Sequence, residues 1–134
     1  MQNSFLLYGA NGYTGELIAR YAHEYNLQPI LAGRRINNRA PGPTDEMRNK
    51  ATALVWGQVT NAAGKTASAR LSGPEGYTLT LHSTLLIVQK ILEGSVAMGY
   101  QTPAKVYGEN LVLEIPGVQR EIISESSFTH TLFW

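Results

Sequence analysis

Cysteine is absent from the 134 residues, which excludes disulfides, thiolate metal sites and a cysteine nucleophile. Charge is scarce as well. With 11 Lys and Arg against 10 Asp and Glu, the net charge of +1 supplies no field that would recruit nucleic acid or an anionic membrane, so neither is an expected partner. The apolar run Phe5-Leu6-Leu7 has no Lys or Arg before it and is cut short by Gly9, Asn11 and Gly12; neither a signal peptide nor a membrane span is expected, and the expected location is cytoplasmic. Aspartate occurs once, at Asp45 in a Pro-Gly segment, which leaves a Ser-His-Asp triad without a firm third member. The three histidines, His23, His82 and His130, match no metal-ligand spacing. Against these absences stands a hydrophobic content of 43%, enough for one compact domain over residues 1–134.

The richest segment is Leu6-Leu7-Tyr8-Gly9-Ala10-Asn11-Gly12-Tyr13-Thr14-Gly15. Ser4 to Tyr8 is short, apolar and bounded by glycine, as a buried parallel strand is. From Tyr13 to Tyr25, the residues Leu17, Ile18, Tyr21, Ala22 and Tyr25 recur at helical spacing and define one apolar face. Asn26-Leu27-Gln28-Pro29 ends that helix, since proline disfavours the helical region for the residue before it, and Ile30-Leu31-Ala32 reads as a second strand. Strand, G-x-x-G-x-x-G turn, helix and strand together predict a partial Rossmann-like βαβ over residues 1–35. In such a unit the glycines let backbone N–H groups approach a pyrophosphate at the positive end of the helix. Where an NAD-preferring site places an acid, Gly33-Arg34-Arg35 offers two guanidinium groups, which favours NADP through its 2′-phosphate. The alternative for these arginines is a solvated basic turn.

Residues 36–51 read as a Pro/Gly linker in which Thr44-Asp45-Glu46 opens a short helical turn. Thr52 to Thr60 and Lys65 to Leu71, separated by Asn61-Ala62-Ala63-Gly64, predict an antiparallel hairpin. Tyr77 to Leu92 carries Leu81, Leu85, Val88 and Leu92 in one stripe and Leu86, Ile87 and Ile91 beside it, predicting a long apolar helix that ends before Gly94. Leu111 to Ile115 alternates as a final strand; the segment from Gln119 to Trp134 has no assignment. Tyr77, Tyr100 and Tyr107 lie near Gly-Pro turns and read as packing anchors rather than proton donors.

Leu7 to Gly15 and Ala32 to Arg35 resemble the start of the saccharopine dehydrogenase-like oxidoreductases, in particular the branch of trans-acting enoyl reductases. Pro41 to Glu46, Trp56-Gly57, the hairpin, Gly73 to Thr80 and Gly99 to Ala104 resemble the carboxy-terminal region of that family, so the resemblance reaches to about Gly117 and residues 52–134 correspond to a remnant of that region. Members are several times longer, and their interior has no counterpart near Ile36 to Arg39. The resemblance implies NAD(P)-dependent hydride transfer in complete members. It assigns Gly9, Asn11, Gly12, Tyr13, Thr14 and Gly15 to the pyrophosphate and Arg34 with Arg35 to the 2′-phosphate, and it supplies no catalytic residue.

The expected architecture is therefore α/β with parallel and antiparallel strands in a mixed sheet. A lone βαβ leaves an apolar strand edge unpaired, so either a later strand or a second copy of the chain is expected to cover it. Three functions remain open: a shortened dinucleotide binder that takes NADP or NAD and has lost turnover, a non-catalytic assembly module that forms a homodimer, and a small flavin or nucleotide binder.

Overall fold

A computed structural model describes residues 3–34 and 41–126 of the chain. Strand β1 (Ser4–Tyr8) runs parallel to β2 (Gln28–Ala32), with Leu6 opposite Ile30 and Leu7 opposite Leu31. A parallel pair needs a crossover, here helix α1 (Tyr13–Tyr21) with one 3-10 turn (Ala22–Tyr25) in place of the single helix expected to Tyr25. The segment stops at Asn26, the first residue of the expected Asn26–Pro29 boundary. Asn26 takes φ +55°, its N–H bonds to the His23 carbonyl (3.1 Å), and the Leu27 N–H reaches back to the Ala22 carbonyl (3.1 Å). This pair of bonds satisfies the last carbonyls of the helix, and asparagine tolerates the left-handed conformation it requires.

Helix α2 (Asp45–Lys50) forms where the threonine and two acids predict it, with the Thr44 hydroxyl accepting from the Met47 N–H at 3.3 Å. The hairpin pairs β3 (Thr52–Thr60) with β4 (Thr66–Pro74). Its loop is fixed by the Asn61 side chain, whose Oδ1 accepts from the Ala63 and Lys65 N–H groups at 3.0 Å each, and by Gly64 at φ +78°. A third strand, β5 (Gln119–Ser126), pairs antiparallel with β4 to give the order β3-β4-β5. Parallel and antiparallel strands thus both form, but in separate sheets: among the described residues β1 has β2 as its sole strand neighbour.

The final strand expected at Leu111–Ile115 is corrected by the structure, which has a 3-10 turn there (Leu111–Glu114) and places the last strand at Gln119–Ser126. The reason lies in spacing. Leu111 and Ile115, four residues apart, are both buried while Leu113 between them is exposed, a helical pattern that five residues of Leu-Val-Leu-Glu-Ile cannot distinguish from alternation.

Helix α3 (Gly76–Leu92) joins the two halves. The Glu75 carboxylate caps it, accepting from the N–H groups of Tyr77 (2.9 Å) and Thr78 (2.7 Å), and Gly94 at φ +93° closes it. Leu81 and Leu85 pack with Leu17, Ile18, Ala22 and Leu27, and Phe5 and Leu7 close this core from β1. On another flank Leu86 meets Leu111, Ile115 and Val118, with Leu71 of β4 against them. Each fully buried leucine contributes ~1.5–3 kcal/mol relative to exposure, so α3 is the main source of cohesion between the halves. A short helix, α4 (Pro103–Tyr107), follows, and the Tyr107 hydroxyl donates to the Ser95 carbonyl at 2.9 Å, the anchoring role read from its turn context. No helix among the described residues is long and apolar enough to cross a membrane.

Candidate functional site

The glycine turn connects β1 to α1 and is pinned to the end of β2. Gly9 takes φ +85°, and the N–H groups of Gly9 and Ala10 both donate to the Ala32 carbonyl, at 2.8 and 3.2 Å. A side chain at position 9 would be strained by that dihedral whatever the space around it. The Gly12 N–H returns to the Gly9 carbonyl (2.9 Å), and the helix begins with the Glu16 N–H on the Gly12 carbonyl (2.9 Å). Gly15 is required for a different reason: a Cβ there would stand 2.3 Å from the Gly9 carbonyl oxygen, so only glycine lets α1 lie this close to the strand end.

The N-cap of α1 is Gly12, which makes no side-chain cap. The N–H groups of its first turn, carried by Tyr13, Thr14 and Gly15, therefore point out of the helix start without an intrahelical carbonyl, the arrangement that attracts an anion. Thr14 is half-buried within that turn. Asn11 leans over the end of β2, its Oδ1 filling the space where a Cβ on Gly33 would come within 2.8 Å. Exposed Arg34 follows directly, so the structure brings it to the same end of the parallel pair as the glycines. Arg35 lies outside the described residues.

Tyr13, one of the turn residues assigned to the pyrophosphate, has its side chain turned to other partners. Its hydroxyl donates to the Pro43 carbonyl, its ring lies where a Cβ on Gly42 would stand, and Tyr77 meets it edge-on with ring centroids 4.9 Å apart. The ring is thus committed to holding residues 42 and 43 against α1 and α3.

A polar cluster that sequence reasoning does not find lies beside this packing. Arg48 is 97% buried, with one guanidinium nitrogen 2.6 Å from Asp45 and the other 3.0 Å from the Thr78 hydroxyl, while Asp45 also takes a two-pronged contact from Arg20 (3.1 Å each). Hydrogen bonds from Arg48 and then Arg20 hold the Asp45 carboxyl below its ordinary range. Burial alone would raise Glu75, yet the N–H groups of Tyr77 and Thr78 and the Thr78 hydroxyl outweigh it and lower the carboxyl. The only sequence signal was the i, i+3 pairing of Asp45 with Arg48; nothing in the chain announces that the arginine is buried. The cluster is a clamp between α2 and α3, because its charges face one another. Nearby, the Tyr25 hydroxyl and His82 Nδ1 lie 2.8 Å apart, and burial, opposed by Glu24 and assisted by Arg48, pushes the imidazole below its ordinary pKa.

Surface concavities of about 270, 390 and 400 Å³ lie along α3 and α4, on the β3-β4-β5 face and beside Arg48. The glycine turn lines none of them. That fits the fold, since a dinucleotide cleft is walled by strands and loops on both sides of the first strand and among the described residues β1 has a strand on one side alone. Comparison with family models, with curated proteins and with solved structures finds no match, so the likeness to the saccharopine dehydrogenase-like enzymes rests on the quoted residues alone.

Proposed function

We propose that the chain is a shortened relative of NADP-dependent, saccharopine dehydrogenase-like oxidoreductases that keeps a Rossmann-like phosphate-binding turn and has no turnover of its own. The observation that carries this reading is the start of α1 at Gly12, with Gly9 at φ +85° and Gly15 pressed against the Gly9 carbonyl. Both glycine requirements are costly to a fold that has no use for a close approach of backbone to ligand. Arg34, at the end of β2, supplies the charge for a 2′-phosphate, and the first-turn N–H groups of α1 supply the donors for the pyrophosphate.

The same geometry accounts for the missing reaction. Hydride transfer needs the nicotinamide held against a substrate, and that half of the cofactor would lie beyond the far edge of β1, where no described strand pairs. The bound portion is the adenosine and phosphate half. Calorimetric titration with NADP, NAD and FMN tests the reading: NADP binds most tightly, NAD more weakly and FMN least, and the protein shows no saturable NADPH oxidation with enone or imine substrates. Preferential FMN binding, or turnover, contradicts it.

A second reading, that of an assembly module, is favoured by the exposed antiparallel sheet, on which Leu54, Val55, Trp56 and Val59 are all more than half exposed.

A further inference from the structure

Among the described residues strand β3 is one of the two edges of the antiparallel sheet, and its sequence Thr-Ala-Leu-Val-Trp-Gly-Gln-Val-Thr contains neither charge nor proline. Charged side chains, prolines and short strands are the usual means by which an edge avoids pairing with another chain. This edge has none of them over nine residues. By contrast, β1 and β2 are five residues each, and β2 carries Pro29.

The direction of the unpaired backbone groups follows from the ladder. The Asn61 N–H bonds to the Lys65 carbonyl at 3.0 Å, next to the pair Thr60 and Thr66, so the odd-numbered residues of β3 exchange their hydrogen bonds with β4. The even-numbered residues, Thr52, Leu54, Trp56, Gln58 and Thr60, then turn their N–H and C=O groups outward. Pro74 agrees with this alternation, for it stands opposite Thr52, where no N–H is needed.

From this edge we propose that two copies of the chain join β3 to β3, antiparallel, about a twofold axis at Trp56. Trp56 is the middle residue of the strand, so this register pairs Thr52 with Thr60 of the second copy and Leu54 with its Gln58, and every outward N–H and C=O gains a partner. Across the axis the two indoles, each 61% exposed in the single chain, meet on one face, and Val55 and Val59 line the other. No charge opposes the approach, because Arg70, the neighbour of Trp56 on β4, is paired with Glu121 at 2.6 Å. The apolar area to be covered lies on this strand, where Leu54, Val55, Trp56 and Val59 are each more than half exposed. The dimer does not depend on the dinucleotide reading, since the glycine turn lies in the other sheet.

The natural lack of cysteine provides the test. In the proposed register the two residues at position 56 form a hydrogen-bonded pair with Cα atoms about 5.5 Å apart, within disulfide reach. Trp56→Cys therefore cross-links under mild oxidation into a covalent dimer. Val59→Cys, whose mate lies six residues away along the partner strand at about 20 Å, does not. Sedimentation of the unmodified chain reports a dimer, and Leu54→Pro, which removes an outward N–H but no bond to β4, raises its dissociation constant at least about tenfold with circular dichroism unchanged. A monomer at ~100 µM chain overturns the proposal, as do equal cross-linking at positions 56 and 59 and a Leu54→Pro chain that folds and dimerises as tightly as the parent.

Discussion

In the parallel pair the crossover helix lies on the strands, so Phe5 and Leu7 of β1 close a core with Leu17, Ile18, Leu81 and Leu85; in the antiparallel sheet only the Leu71 end of one face meets α3, and Leu54, Val55, Trp56, Val59 and Ile122 stand in solvent. The difference comes from connectivity. A parallel connection has to carry a dozen or more residues across the sheet and folds them into its own cover, whereas a hairpin closes through a few residues and brings none. The covered half is where the glycine turn is held in a fixed shape, and the uncovered half is where a second copy has room to dock. Even the covered half is covered once: Leu6, Tyr8 and Ile30, on the face of the pair away from α1, are each more than half exposed.

Truncating one large aliphatic side chain in each environment breaks or confirms this contrast most forcefully. Leu85, fully buried, is expected to cost ~2–5 kcal/mol on Leu85→Ala. Ile122→Ala, at a position 60% exposed on β5, is expected to cost under ~0.5 kcal/mol at chain concentrations where the protein is monomeric. Urea denaturation measures both, and equal costs would mean that something covers the antiparallel sheet.

The glycines sharpen the comparison at a smaller scale. Gly15→Ala sets a Cβ 2.3 Å from the Gly9 carbonyl and forces α1 away from the turn, at a cost of ~1–3 kcal/mol. Gly57→Ala in β3 meets nothing within 4 Å, and is expected to be neutral or to stabilise by up to ~1 kcal/mol, because glycine is a weak strand residue. Thermal melts of the two variants should therefore move in opposite directions, or one should move and the other stay.

The smallest effect is a pH dependence confined to the covered half. Burial lowers His82 below the 6.5 of a free imidazole, so the unfolded chain binds the proton more readily than the folded one. The contribution is complete above about pH 6.5 and is lost as pH falls through the lower folded value. Asp45 and Glu75, both lowered, add a second loss that begins below about pH 5. Melting temperature followed from pH 7.5 to 5 should fall in the parent and fall less in His82→Gln; an identical slope in both would assign the titration to another group.

The βαβ was legible because each of its parts has a local cause: apolar Ser4 to Tyr8, the glycines of the turn, and Leu17, Ile18, Tyr21 and Ala22 at helical spacing. The hairpin and α3 were legible for the same kind of reason, with Asn61 and Gly64 in the loop and Glu75 and Gly94 at the helix ends. What escaped were features created by distant partners. Strand β5 has two adjacent isoleucines and no alternation, and becomes a strand because β4 offers an edge, with a bulge opposite Ser68 and Ala69 to absorb the mismatch. The burial of Arg48 and the commitment of Tyr13 to Pro43 depend on how residues 41–50 fold back onto α1 and α3, and pairings of that reach leave no periodic trace in the chain. Of the turn itself, the spacing of the glycines could be read, whereas the positive φ of Gly9, the close approach at Gly15 and the single strand neighbour of β1 could not.

The central claim, that the turn from Gly9 to Gly15 and Arg34 together hold the phosphates of an NADP molecule, is tested most directly by following backbone amide resonances during titration with NADP and NAD, for the parent chain and for Arg34→Ala. The account predicts saturable shifts concentrated on residues 9–15 and on Arg34, about tenfold tighter for NADP than for NAD, a difference of ~1.4 kcal/mol that disappears in Arg34→Ala. Shifts elsewhere with those residues still, or equal affinity for the two cofactors in the parent chain, would contradict it.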